Sequence, residues 1–178
     1  MANKHLAMVL ETLEFLPPAV LPEGYRFRPW EDAMAGDYAR VINECFPGET
    51  HTHEGDMKKE GYDRFQTIMI YHGDEPVAAA SAVANIAGGS TRGYLHFVAA
   101  RSSHKGKRLG LAVCAATLRL MRDWGMTSCL LDTRDNLLPA IVTYFKLGFK
   151  PVPVDDDYAA RWRAVIDLLK SKGFQPPC

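Results

Sequence analysis

The sequence has no surplus of charge of either sign: 21 lysines and arginines stand against 21 aspartates and glutamates in 178 residues. A chain without a net field does not recruit nucleic acid or an anionic membrane by global attraction, so any basic cluster in it is a local device. No apolar run reaches the roughly 18 residues needed to cross a bilayer as a helix. The first sixteen residues carry Glu11 and Glu14 and lack a signal-peptide layout. Cysteine is scarce, and Cys45, Cys114, Cys129 and Cys178 show no C-x-x-C spacing, which argues for reduced thiols over a disulfide frame or zinc site. Internal repeats and low-complexity tracts are missing. Together these absences lead to the expectation of a cytoplasmic protein with neither membrane nor nucleic-acid partner. A hydrophobic content of 47% suits one compact domain with a sizeable core, spanning 1–178.

What is present concentrates between Gly93 and Gly125. Tyr94, Leu95, Phe97 and Val98 open this stretch as a strand. The polar, basic segment from Arg101 to Arg108 follows, and then Leu111, Cys114, Ala115, Leu118 and Met121 repeat at helical spacing as far as the C-cap Trp124-Gly125. A glycine-bearing loop feeding a helix N-terminus leaves several backbone N–H groups without partners, all pointing one way. The helix dipole adds about half a positive charge there, so the site favours a phosphate-like anion. Lys105, Lys107 and Arg108 add further positive charge around it. The loop is not G-x-x-x-x-G-K-[ST], and the pair Gly106 and Gly110 is too sparse for G-x-G-x-x-G.

Lys105-Gly106-Lys107-Arg108-Leu109-Gly110 resembles the [QR]-x-x-G-x-[GA] acetyl-CoA signature of the GNAT superfamily of N-acyltransferases. Lysine stands for the usual Arg or Gln, and Arg108 occupies the inner glycine position, where its side chain would either crowd the diphosphate or pair with it. Downstream, the strand-like run Ser128–Arg134 leads into Asn136-Leu-Leu-Pro-Ala140 and on through Tyr144 to Gly148-Phe149. That run is similar to the family's N-x-x-A-x-x-x-Y-x-x-x-G-F segment.

The resemblance implies an α/β fold with a mixed, mostly antiparallel central sheet flanked by helices, its core at about 23–154. It implies acetyl-CoA as co-substrate, no metal, and transfer to a primary amine of a small molecule in a ternary complex. The acceptor could instead be a protein N-terminus or lysine, and the chain could be a non-catalytic acyl-CoA-binding regulatory module. The diphosphate would sit on Lys105, Gly106, Lys107, Arg108, Leu109, Gly110 and Leu111, and Asn136 would also contact the cofactor. The pantetheine would run along the backbone of Val98, Ala99 and Ala100, which would also polarise the acyl oxygen. Tyr144, protonated at neutral pH with an ordinary pKa near 10, would donate to the leaving sulfur. His96 is the candidate base, with Asp132 or a water chain as rivals.

The remaining segments are placed more coarsely. Leu6, Val9, Leu10, Leu13 and Leu16 fit an N-terminal helix stopped by Pro17-Pro18, making 1–22 a helical extension. Tyr25–Pro29 alternates as a strand, Glu31–Cys45 reads as a helix, and Pro47–Arg64 as a loop with a second helix. Thr67–Tyr71 and Val77–Ile86 bracket a hairpin turn. The loop His51-Thr-His53-Glu54-Gly-Asp56 reads as solvated, with contact to a cationic acceptor through Glu49, His53 and Glu54, or a metal, as sharper uses. Asp155–Leu169 carries an apolar stripe of Tyr158, Trp162, Val165, Ile166 and Leu169 on a C-terminal helix in the extension 155–178. That stripe would pack on the sheet or on the N-terminal helix, or form a homodimer interface. Weakly, the terminal helices suggest a mycothiol-synthase-like branch.

Overall fold

The computed structural model describes residues 5–58 and 62–176. The chain runs β1 (Leu6–Leu10), β2 (Tyr25–Pro29), a 3₁₀ turn (Asp32–Met34), α1 (Ala35–Cys45), α2 (His53–Met57), β3 (Arg64–His72), β4 (Glu75–Ala84) and β5 (Arg92–Ala100). It continues with a second 3₁₀ turn (Ser102–His104), α3 (Leu109–Asp123), β6 (Ser128–Thr133), α4 (Leu138–Lys146), β7 (Lys150–Pro151) and α5 (Asp156–Ser171). Among the described residues one mixed sheet forms in the order β2-β3-β4-β5-β6-β1-β7, antiparallel throughout except between β5 and β6. No described helix is long and apolar enough to cross a membrane.

β4 is the spine of the sheet. Its sequence EPVAAASAVA is buried at every position after Glu75, and its small side chains let helices approach closely from both faces. On one face α3, α4 and α5 pack through Leu109, Val113, Leu118, Phe145, Trp162 and Leu169 into the main core. On the other, α1 packs Tyr38, Val41 and Ile42 against Met69, Tyr71 and Ala99. A side chain at Gly93 would meet Met121 Sδ at 2.7 Å, so a glycine there lets α3 lie directly on β5.

The N-terminus departs from expectation. Residues 6–10 form a strand inserted between β6 and β7, with Leu6 opposite Thr133, Leu10 opposite Cys129 and Met8 opposite Pro151. The helical reading used Leu6, Val9, Leu10 and Leu13, but Leu6, Met8 and Leu10 also alternate, and these three are the buried ones. The slot between β6 and β7 decides the matter, because it satisfies the backbone N–H and C=O groups of this segment on both edges. The described part of the expected 1–22 extension, residues 5–22, is therefore not helical, and its strand belongs to the sheet of the core. The C-terminal helix forms as expected: the Asp155 side chain accepts from the Tyr158 N–H at 2.9 Å, and Trp162 packs on Phe145 of α4 with ring centroids 6.4 Å apart.

Candidate active site

The site starts from the two parallel strands. β5 and β6 pair only from Arg92–Ser128 to Tyr94–Leu130, and beyond that point the ladder stops and the strands part. The cause lies in β5. Phe97 adopts φ of 43°, and the β4–β5 register slips between Ala79 and Ser81. A non-glycine residue there is a β-bulge: it places His96 and Phe97 on the same face and turns the edge of β5 away from β6. Past the bulge, Ala99 and Ala100 still pair with Ala79 and Ala78 of β4. The edge of β5 that would have met β6 makes no strand pairing there among the described residues, in the stretch where Val98, Ala99 and Ala100 were expected to act.

Both strands end at the same edge because they are parallel, so the loop before α3 and the loop before α4 meet there. α3 begins without a side-chain cap, its N-cap being Arg108 at φ of 57°. The first helical bond runs from the Ala112 N–H to the Arg108 carbonyl at 3.1 Å, so the amides of Leu109, Gly110 and Leu111 have no intrahelical acceptor. An open cavity of about 360 Å³ lies at this end, lined by Arg108, Gly110, Leu111, Thr143 and Lys146. Nothing stands within 4 Å of where a Gly110 side chain would begin. Lys105, Gly106, Lys107 and Arg108 are exposed around it. The left-handed backbone at Arg108 is the conformation glycine adopts most readily, which gives the inner glycine of the signature its physical reason.

Asn136 is exposed in the turn before α4, next to Asp135, which Arg161 of α5 grips through two guanidinium nitrogens, one at 2.9 Å. Tyr144 projects from α4 into the core, 6% exposed, and its ring lies 5.9 Å from that of Phe149. Burial pushes its hydroxyl pKa far above the ordinary phenol value, with Cys114 and Tyr94 adding to the effect. A hydroxyl so placed keeps its proton and can only donate or share it. None of the side-chain hydrogen bonds among the described residues engages it.

Of the two candidate bases, Asp132 is exposed and accepts from the Tyr94 hydroxyl at 2.8 Å, across the point where β5 and β6 part. His96 is half-buried in register with Ser81, its ring 4.1 Å from that of Phe97. His96 thus lies beside the bulge, and Asp132 lies just past the last β5–β6 pair.

The loop at 51–56 is not the solvated segment expected. His51 and His53 are 7% and 6% exposed. His53 stacks on Trp30 at 3.4 Å between ring centroids, and its Nε2 shares a hydrogen bond of 2.9 Å with Thr67 Oγ1, which is 2.7 Å from Ser81 Oγ. Burial depresses the His53 pKa to about 4, and with its Nε2 bonded to Thr67 the ring is turned inward rather than to solvent. Glu54 is exposed and paired with Lys58 at 2.6 Å. Among the described residues no cluster suited to a metal ion forms.

The comparisons with known proteins concern this same framework. A GNAT N-acetyltransferase of Kribbella flavida superposes with a TM-score of 0.59 at 17% identity, over 84% of this chain and 55% of that one. One from Sphaerobacter thermophilus gives 0.64 at 18%, over 83% and 48%. The ribosomal-protein-S18-alanine N-acetyltransferase of Escherichia coli gives 0.58 at 15%, over 71% and 77%. The chain thus spans about half the length of the first two proteins, and the likeness is one of fold. No curated protein matches the sequence. The family model described as acetyltransferase (GNAT) family matches residues 36–149, from α1 through α4 to the start of β7. On that match, which takes in more than half of the sequence, the chain belongs to the GNAT acetyltransferase family.

Proposed function

We propose that this protein transfers an acetyl group from acetyl-CoA to a primary amine of a small molecule, directly, in a ternary complex. The observation that carries the reading is the conjunction of the parted β5–β6 ladder with an uncapped helix N-terminus at its open end. The amides of Leu109, Gly110 and Leu111, with Lys105, Lys107 and Arg108 around them, would hold the diphosphate. The pantetheine would lie along the free edge of β5 at Val98, Ala99 and Ala100, and Asn136 would close the other side. Backbone N–H groups at the bulge would polarise the acyl oxygen as it gains charge, a role that needs no side chain. Tyr144, buried and protonated, would hand a proton to the departing sulfur. His96 offers an imidazole on the acceptor side of the opening.

A small acceptor is favoured by the balanced charge of the chain, 21 against 21, which provides no field for a strongly charged polypeptide. Acetyl-CoA incubated with the protein and a set of primary amines should release CoA thiol only when an amine is present. Release without amine dependence, or none with any amine although acetyl-CoA binds, contradicts catalysis and leaves a binding module.

A further inference from the structure

The α1–α2 side of β5 holds an imidazole fixed more firmly than packing requires. Asn43 of α1 clamps the His51 main chain twice: its Oδ1 accepts from the His51 N–H at 2.7 Å, and its Nδ2 donates to the His51 carbonyl at 3.1 Å. The side chain is fixed separately. His51 Nδ1 lies 3.0 Å from Asp56 Oδ1, while Asp56 Oδ2 accepts from the Tyr38 hydroxyl at 2.9 Å. Burial beside Asp56 pushes the Tyr38 pKa upward, so that hydroxyl stays a donor. An ionised carboxylate only accepts, so Nδ1 carries a proton, and in the neutral ring the lone pair is then on Nε2.

That second nitrogen is buried without a hydrogen-bond partner among the described residues. Leaving a buried polar atom unpaired costs on the order of 1–3 kcal/mol. The His51 ring packs 5.0 Å from the ring of Phe97, the bulge residue that opens the site, and 5.9 Å from that of Phe46. The Glu49 carboxylate lies 3.6 Å from Nε2, on a side chain 68% exposed. A residue held by Asn43 and Asp56, aimed by Phe97 and left with an open lone pair, has the makings of a base.

We propose that His51 is the group that deprotonates the acceptor amine, with Asp56 as its positioning residue and Glu49 as the carboxylate that draws the ammonium in. This rests on the acetyl-transfer reading. One proton of the ammonium passes to His51 Nε2, on the ring packed against Phe97 of the bulge. The freed nitrogen lone pair forms the C–N bond at the thioester carbonyl as the C–S bond breaks. The thiolate takes the Tyr144 proton, and Tyr144 recovers one from the new amide nitrogen. The proton on His51 leaves to solvent past Glu49, so one proton is released overall. Glu49 moves aside or pairs with the ammonium to give Nε2 access; its exposure permits both.

The test uses the whole chain, acetyl-CoA, and benzylamine, phenethylamine, spermidine and lysine amide as acceptors, read as thiol release. His51→Asn should lower kcat about 100-fold while the acetyl-CoA Kd, measured by calorimetry, stays within threefold. Its turnover should recover as pH is raised, because the amine then arrives already deprotonated; a merely structural loss would not recover. Glu49→Gln, on the surface, should raise KM for the amines with kcat kept. If His51→Asn does not fold, Asp56→Asn takes its place with the same expectations. Turnover within threefold of the parent in the variant that folds, or the same loss at every pH, overturns the assignment and leaves acetyl transfer standing. If the unaltered protein binds acetyl-CoA but releases no thiol with any amine, the acetyl-transfer reading itself fails, and the assignment with it.

Discussion

The two ends of β5 solve opposite problems. At its C-terminal end the chain exposes main-chain donors: α3 is uncapped, Gly110 faces open space, and the basic side chains are in solvent. Behind the bulge, on the α1–α2 side, buried and half-buried side chains are locked in place: Asn43 to the His51 main chain, His51 to Asp56, Asp56 to Tyr38, and His53 to Thr67, which bonds Ser81. A backbone site accepts any ligand that brings the right anion, which suits a shared co-substrate. A network of side chains is specific to one partner and one proton. On the proposed function, the α3 end should tolerate changes that preserve the amides, and the α1–α2 side should not tolerate isosteric loss of a single hydrogen bond.

The largest effect that would break this comparison is Gly110→Asp. A carboxylate beside the first α3 amides should weaken acetyl-CoA about 100-fold, or about 3 kcal/mol, by occupying and repelling the diphosphate. The same change should raise the melting temperature slightly, since an acidic group at a helix N-terminus contributes about 0.5 kcal/mol. Calorimetry and thermal melts on one sample read both signs, and a variant that binds normally would remove the amides from the coenzyme site. Tyr144→Phe comes next, with kcat lowered about 30-fold and acetyl-CoA affinity within threefold. Unchanged turnover at saturation would take Tyr144 out of the reaction.

His53 sharpens the comparison through pH. Its folded pKa of about 4 lies below the unfolded value near 6.5, so the unfolded chain binds the extra proton between them. Stability is therefore full above about pH 6.5 and declines as pH falls toward 4, by on the order of 2 kcal/mol. His53→Gln should flatten that part of the denaturation profile; an equal slope in the variant would place the titrating group elsewhere. The smallest effect is Arg108→Gly. Relief of a left-handed φ should stabilise the fold by about 0.5–1 kcal/mol, seen as a rise in the denaturation midpoint. No rise would mean that Arg108 gains from its contacts what its backbone loses.

The turn from β5 into α3 was legible in the sequence because its information is local. Gly106, Gly110 and the apolar repeat of α3 stand within a few residues of one another, and Trp124-Gly125 ends the helix with Gly125 at φ of 86° as its position suggested. The buried network on the α1–α2 side was not legible. His51 and His53 sit among polar residues, and Trp30, Tyr38, Phe46, Phe65 and Phe97, scattered over the chain, pack around them. The bulge itself has no local signal, since an aromatic residue in an apolar strand is the least expected place for positive φ. β1 failed for a related reason: Leu6, Met8 and Leu10 fit two periodicities, and the gap between β6 and β7 that selects one of them is formed by residues more than a hundred positions away.

The claim that matters most is that the first amides of α3 grip the diphosphate of acetyl-CoA. Titrating the ¹⁵N-labelled protein with acetyl-CoA and following the amide resonances tests it residue by residue. The largest shifts should fall on Gly106 to Leu111, with smaller ones along Val98 to Ala100. Shifts centred elsewhere, or a spectrum that does not change, would contradict the account.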